Sequence, residues 1–316
     1  MNNHLKLAKA RKDDEFFTRM EDIRAELGQY TKHFRDKIVL CNCDDPSTSN
    51  FVKYFLENFE GLGLRRLIAS CYKNRRFDLL RPLPKRAFFA EFSSGDAKMI
   101  PRLHSGDGDF RSGEVIDLLR TADIVVSNPP FSLFREYFEQ LIKYDKKFLI
   151  VGPISAFTYK CVFPFIKAGS VWCGVNQVRR FNLPGGEIIN LGNCCWITNL
   201  TSTANPYMHF LTKRYHKAEY KEYENYAAIE VSRVVDIPMD YPGAMGVPVS
   251  YMLKHNPEQF ELIGTDHGSG SGLSGGLWKG WGSRCVLGGR EVYRRVFIRN
   301  KNPIITSKKS THICTF

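Results

Sequence analysis

The stretch ADIVVSNPPFSLFREY, residues 122–137, decides the reading of this chain. Asp123 to Ser127 carries the β-branched run Ile-Val-Val, which favours a buried strand. The strand stops at Asn128-Pro129-Pro130-Phe131, because proline gives up its backbone donor and fixes its φ. A helix is expected from Leu133 to Tyr144, followed by a strand from Phe148 to Gly152. Upstream, the same alternation repeats. Ile38 to Cys43 reads as a strand that ends at Asp44-Asp45-Pro46. Phe51 to Phe59 has aromatics at helical spacing, and Gly61 and Gly63 close that helix. Leu67 to Cys71 and Ala87 to Phe92 read as strands, the loop Gly106 to Phe110 follows, and Glu114 to Arg120 reads as a helix. Strands alternating with helices predict an α/β fold with a mostly parallel sheet covered on both faces. Ligands of such sheets bind beyond the carboxyl ends of the strands. The polar clusters 44–46, 106–110 and 128–131 are expected near that edge.

After Ala204 the text becomes irregular and rich in Tyr, Lys and Pro, with a Gly/Ser-rich segment from Gly264 to Gly282. Two regions are therefore expected, 1–203 and 204–316. Glu291 to Arg299 reads as a basic strand near the C-terminus. The formal net charge of +12 points to a polyanionic partner, with nucleic acid first and an anionic membrane surface second. No apolar run reaches the roughly 20 residues needed to span a bilayer. Met1 to Lys12 has no apolar core of the signal-peptide kind. An odd count of nine cysteines without a signal peptide argues against a secreted disulfide framework, and the absence of a CxxC pair argues against a structural zinc site. Most are read as small buried hydrophobes in a reducing cytoplasm, and no metal is expected.

Asn128-Pro129-Pro130-Phe131 suits chemistry on an amino nitrogen whose lone pair is delocalised into a ring. Such a nitrogen must be held in line with the group it attacks, while acceptors take its N–H groups. The Asn128 side-chain oxygen and the Pro129 carbonyl are the expected acceptors. Pro129 and Pro130 fix the turn, and Phe131 offers a face for stacking a base. The competing reading is a strand-ending turn, since N-P is a common turn dipeptide. Asp44, Asp45 and Pro46 have a cofactor reading, as acceptors for an amino group or ribose hydroxyls. Their alternative is capping of the next helix by residues 45 and 47. Asp109 and Phe110 would hold an adenine ring, or else form a solvated turn. Phe16 and Thr18, within Asp14 to Thr18, would close over a cofactor, or else start a helix with core-facing aromatics.

In the order of these elements the chain resembles the EcoRI-type adenine-specific modification methylases. The resemblance rests on DEFFTR (14–19), CNCDDPSTSNFVKYF (41–55), GDGDFRS (106–112), ADIVVSNPPFSLFREY (122–137), YDKKFLIVG (144–152) and MGVPVSYMLKHNPEQFEL (245–262). It implies a Rossmann-like methyltransferase fold with a C-terminal target-recognition region. It also implies S-adenosyl-L-methionine as donor and N6-adenine methylation in duplex DNA, in a bacterial or phage-encoded protein. The chain departs from the wider class in two places. Asp44 to Ser49 has no glycine where a DxFxGxG turn is usual, and Cys71-Tyr72-Lys73 replaces the acidic residue after the second strand. The insertion Asn176 to Asn193 is short for the group, which bears on sequence specificity.

A target base inside a duplex must be flipped to be reached. Phe131 and Phe181 are the expected stacking faces. Arg179, Arg180, Arg294 and Arg295 are the expected phosphate contacts, with a solvated basic face as the alternative. The oligomeric state is left open, with a monomer as the default. Two further readings stand: an amino methyltransferase acting on cytosine N4, RNA adenine or a glutamine amide, and a DNA-binding homologue without catalysis.

Overall fold

The computed structural model describes residues 17–72, 87–96, 98–183, 186–267 and 272–304. Phe16, expected near the cofactor, lies outside the described residues. The chain divides into two compact units. The first takes the residues up to Ala156 together with Pro164–Asn205, and the second takes Phe157–Phe163 and Pro206 onward.

In the first unit the elements are β1 (Phe17–Thr18), α1 (Met20–Leu27), β2 (Ile38–Asn42), α2 (Asn50–Glu57), β3 (Arg66–Ser70), β4 (Phe88–Ser93) and β5 (Ile100–Leu103). They continue with α3 (Gly113–Thr121), β6 (Ile124–Ser127), α4 (Phe134–Lys143), β7 (Lys147–Pro153), β8 (Trp172–Cys173), β9 (Arg180–Asn182), β10 (Ile188–Asn190) and β11 (Cys194–Thr198). An eight-stranded sheet runs β5-β4-β3-β2-β6-β7-β11-β8. β2 pairs in parallel with both β3 and β6, and β6 with β7. Their carboxyl ends therefore share one edge. β2 and β6 are buried at every residue, which is why they read as continuous apolar runs.

The sheet is mixed rather than mostly parallel. β4 runs antiparallel to β3 and β5 antiparallel to β4, while β11 runs antiparallel to both β7 and β8. An antiparallel pair such as β3 and β4 needs no crossover connection, whereas a parallel pair does. Helix α2 begins at Ser49, whose hydroxyl accepts from the N–H groups of Phe51 and Val52 at 3.1 and 3.4 Å. Its buried face, Phe51, Val52, Tyr54 and Phe55, joins a core with Trp196, Leu67 and Val126.

Three short strands form a separate sheet in the order β1-β9-β10. Thr18 lies opposite Phe181, and Ile189 opposite Phe181 on the other side. A segment near the N-terminus thus pairs with a hairpin far along the chain.

The second unit contains β12 (Ile229–Glu230), β13 (Met245–Pro248), β14 (Phe260–Thr265), β15 (Val286–Leu287), β16 (Arg290–Glu291) and β17 (Arg295–Asn300). A four-stranded sheet runs β12-β13-β17-β14, and β15 pairs with β16. The basic strand expected over Glu291 to Arg299 is split. β16 holds Arg290 and Glu291, and β17 starts at Arg295. Tyr223, Tyr226 and Phe297 anchor the core of this unit. Among the described residues no helix is long and apolar enough to cross a membrane, and no cluster of His, Cys, Asp and Glu suits a metal ion.

Candidate cofactor and catalytic site

A cavity of about 930 Å³ opens at the carboxyl edge of the parallel strands. Its walls come from the loops that follow β2, β3 and β6 (Cys43 to Asp45, Cys71 and Tyr72, Asn128 and Pro130). Gly108 to Arg111 and the start of α2 complete one side. Phe17 and Thr18 of β1 and the residues Asn182, Leu183, Gly186 and Ile188 of the β9–β10 hairpin line the other. That volume falls in the range of small-molecule and cofactor pockets. Of the expected residues, Thr18, Asp44, Asp45, Asp109, Phe110, Asn128 and Pro130 all line it. Pro46, Pro129 and Phe131 are not among its walls. Phe131 is half-buried, opens a 3-10 turn and packs against the core.

Asp44 is buried and bridges two loops. One carboxylate oxygen accepts from the Ser49 hydroxyl at 2.8 Å, and the other from the Ser127 hydroxyl at 2.7 Å. The backbone N–H of Asn128 also donates to it. Burial pushes its pKa up to about 7, against the hydrogen bonds from Ser127 and Ser49 that favour the charge. Asp45 shapes the turn before α2, since it accepts from both the N–H and the hydroxyl of Ser47, at 2.8 and 2.6 Å. The helix cap itself is Ser49, not residue 45 or 47.

Behind Phe110 stands Tyr137, with ring centroids 5.2 Å apart in an edge-on contact. The buried Tyr137 hydroxyl donates to the Asn42 side-chain oxygen, at the end of β2. Asp109 forms a two-armed pair with Arg111, at 2.9 Å to Nε and 2.8 Å to a terminal nitrogen. The Arg111 hydrogen bond holds the Asp109 carboxyl below the usual range. Arg111 also reaches Glu136 on α4 at 2.9 Å and lies over the Phe110 ring at 5.4 Å. Asp109 is therefore a charged acceptor whose orientation is fixed by Arg111 beside it in the cavity wall.

Two observations say that the cavity suits a ligand with a polar atom at Thr18 that packs closely on backbone at Gly108. Thr18 Oγ1 is buried in its wall and makes no hydrogen bond among the described residues. A buried hydroxyl without a partner is costly, so a ligand atom is its natural partner. Gly108, at φ +74°, comes so close to the Cys71 carbonyl oxygen and to Ala87 Cβ that no side chain fits there. The backbone itself forms that wall.

Residues 4–309 match the family described as adenine-specific methyltransferase EcoRI. The chain belongs to the EcoRI adenine-specific methyltransferase family. Within this family it is 44% identical to the Type II methyltransferase M.EcoRI of Escherichia coli, over 95% of this chain and 97% of that relative. It is 35% identical to the Type II methyltransferase M.MgeORF184P of Mycoplasma genitalium, over 83% of this chain and 86% of the relative. It is 36% identical to the Type II methyltransferase M.MpnI of Mycoplasma pneumoniae, over 81% and 83%. No solved structure matches the chain.

Two expected DNA contacts of this family member are corrected by burial. Phe181 has no exposed surface and sits in the core beside Val178 and Leu191, so its ring offers no stacking face. Arg295 is buried in an ion pair with Glu230, at 2.8 and 3.0 Å, so its guanidinium faces inward. Arg294 is half-buried and donates to Thr158 Oγ1 at 2.8 Å. Arg179 and Arg180 are exposed. Sequence reasoning missed Cys43, Cys71, Tyr72 and the hairpin residues Asn182, Leu183 and Ile188 as cavity walls.

Proposed function

We propose that the protein is a site-specific DNA methyltransferase that moves a methyl group from S-adenosyl-L-methionine to N6 of an adenine flipped out of duplex DNA. One observation carries the reading. In a chain of this family, Asn128 and Pro130 line the same cavity as Asp45, Asp109, Phe110 and Thr18. Methyl-acceptor and cofactor groups therefore share one chamber. The net charge of +12 supports a nucleic-acid substrate.

The residues present fit the cofactor. Asp45 suits its amino and hydroxyl donors, Phe110 its adenine ring, Asp109 the exocyclic amine of that ring, and Thr18 a polar atom at the covering strand. When bound, the cofactor supplies an electrophilic methyl on a sulfonium. Asn128 Oδ1 and the Pro129 carbonyl accept the two N–H groups of the target amine, which holds its lone pair toward the methyl. Phe131, half-buried at the turn after Pro130, is the stacking face for the flipped base if its ring turns from the core toward the cavity. The methylated nitrogen becomes acidic and loses its proton to water, so no ionisable base is required. The parallel run β3-β2-β6-β7, with the cavity beyond its carboxyl ends, supports a Rossmann-like reading of the first unit. Residues 204–316 then serve target recognition. Arg179 and Arg180 are the exposed phosphate contacts of the first unit.

Incubation of the purified protein with S-adenosylmethionine and unmethylated bacterial DNA, followed by nucleoside mass spectrometry, tests the proposal. N6-methyladenine is expected. N4-methylcytosine alone would replace the target, and no modified nucleoside would reject the reaction.

A further inference from the structure

The chain from Pro206 to Lys217 has no regular secondary structure, yet it is fastened along its length. His209 is buried. Its backbone N–H donates to Gln259 Oε1 at 2.7 Å, and its carbonyl accepts from Gln259 Nε2 at 3.0 Å. Its ring stacks on Tyr251 at 5.5 Å, and a ring nitrogen lies 2.7 Å from the Lys254 carbonyl oxygen. Further on, the Lys213 carbonyl accepts from Met239 N–H at 2.9 Å, and Tyr215 N–H donates to Asp240 at 2.7 Å.

With His209 pinned inward, its neighbours stay outside. Phe210 is 89% exposed, Met208 50% and Tyr207 48%. The bonds at His209 and Lys213 hold the backbone on either side of Phe210. A large apolar side chain held in water is an informative exception to ordinary burial. The charges next to it along the sequence have one sign. Residues 201–218 contain no Asp or Glu, and Lys213, Arg214 and Lys217 are all exposed. Lys254 is exposed as well and lies over the Tyr207 ring at 4.3 Å. Arg214 and Asp240 make a loose contact at 4.0 Å.

Aromatic faces interleaved with cations on a fixed backbone match the surface chemistry of a nucleic acid, which offers apolar base and sugar faces between phosphates. We infer that Tyr207–Lys217 is a DNA-contacting strip of the second unit. Phe210 packs on bases or sugars, and Lys213, Arg214 and Lys217 meet phosphates. The inference rests on the DNA methyltransferase reading and adds a contact surface to it.

The test is fluorescence anisotropy with a labelled duplex carrying the methylated site, titrated at several salt concentrations. Phe210→Ala should weaken binding about tenfold and leave the salt slope unchanged, since stacking is not a counterion effect. The triple variant Lys213→Ser, Arg214→Ser, Lys217→Ser should lower the slope of log affinity against log salt by about 0.9 for each phosphate that is no longer neutralised. Both variants carry exposed substitutions and should keep the wild-type melting temperature and affinity for S-adenosylmethionine. Wild-type affinity and slope in both variants would overturn the inference while leaving the methyltransferase reading intact. A dimer that Phe210→Ala dissolves, with DNA affinity unchanged, would overturn it in favour of a self-interface. Failure of the wild type to bind or methylate DNA would reject the methyltransferase reading itself, and this strip with it.

Discussion

The Asp44 carboxylate and the Ser127 hydroxyl meet at 2.7 Å, joining the end of β2 to the last residue before Asn128. Ser127 also contacts the Asn42 carbonyl oxygen, yet a serine hydroxyl has one proton. With Asp44 ionised, that proton serves only one of the two acceptors at a time. With Asp44 protonated, Asp44 donates to Ser127 and Ser127 donates to Asn42, so every group is satisfied. Burial, which pushes the Asp44 pKa up to about 7, favours the second arrangement.

That proton couples the stability of the fold to pH. The folded chain holds it up to about pH 7, whereas an unfolded Asp releases it near the ordinary value of 3.8. Between those values the folded state binds more protons, so this group's contribution falls as pH rises. Asp44→Asn keeps a donor to Ser127 and cannot ionise. Urea denaturation across pH 4 to 7 should therefore show the variant gaining on wild type by up to about 4 kcal/mol. A difference that is flat with pH would contradict the assignment.

Thr18→Val removes a buried hydroxyl in the cavity wall that has no hydrogen-bond partner among the described residues. The cofactor-free protein should be as stable as wild type or more so, by up to about 1 kcal/mol. Titration calorimetry should show S-adenosylmethionine binding about fivefold more weakly, the cost of one modest hydrogen bond. Unchanged affinity would remove Thr18 from the cofactor site.

Gly108→Ala should be far more damaging than its size suggests. The residue sits at φ +74°, and a Cβ would press on the Cys71 carbonyl and on Ala87. Backbone cannot yield as a flexible side chain can, so a loss of at least about 2 kcal/mol is expected from denaturant midpoints. A wild-type midpoint would mean that the loop has room to move.

Glu230→Ala tests the inward role of Arg295. Burial works to raise the Glu230 pKa, but hydrogen bonds from Arg295, Tyr223 and Ser232 outweigh it and hold the carboxyl below its usual range. Truncation strands a buried guanidinium, and about 3–5 kcal/mol of stability should be lost. If Arg295 instead turns outward to phosphate, thermal melting of the variant will match wild type.

The parts of the site that sequence patterns carry are those set by local chemistry. The runs Ile38–Cys41 and Ile124–Val126 are continuously apolar and end in polar loops. Both form central parallel strands with their loops on one cavity. The hairpin carrying Arg180 and Phe181 is harder to read. Its face is set by pairing with Phe17 and Thr18, a long-range register that leaves no periodic mark. Basic neighbours make Phe181 look like a surface aromatic. Arg295 misleads for a similar reason, because its partner Glu230 is remote in sequence and the four arginines of 290–299 look alike. The antiparallel pairing of β4 with β3 is also hidden, since an apolar strand looks the same in either direction. The second unit takes in Phe157–Phe163, which chain order alone assigns to the first.

Asn128 is proposed to direct methyl transfer to adenine in DNA. The most direct measurement is long-read modification sequencing of DNA from cells expressing the wild-type protein and from cells expressing Asn128→Ala, with the variant shown to be folded and to bind cofactor. N6-methyladenine at one short motif in the first sample and none in the second is the predicted result. Equal methylation in both samples, or none in either with both proteins folded and cofactor-bound, would contradict it.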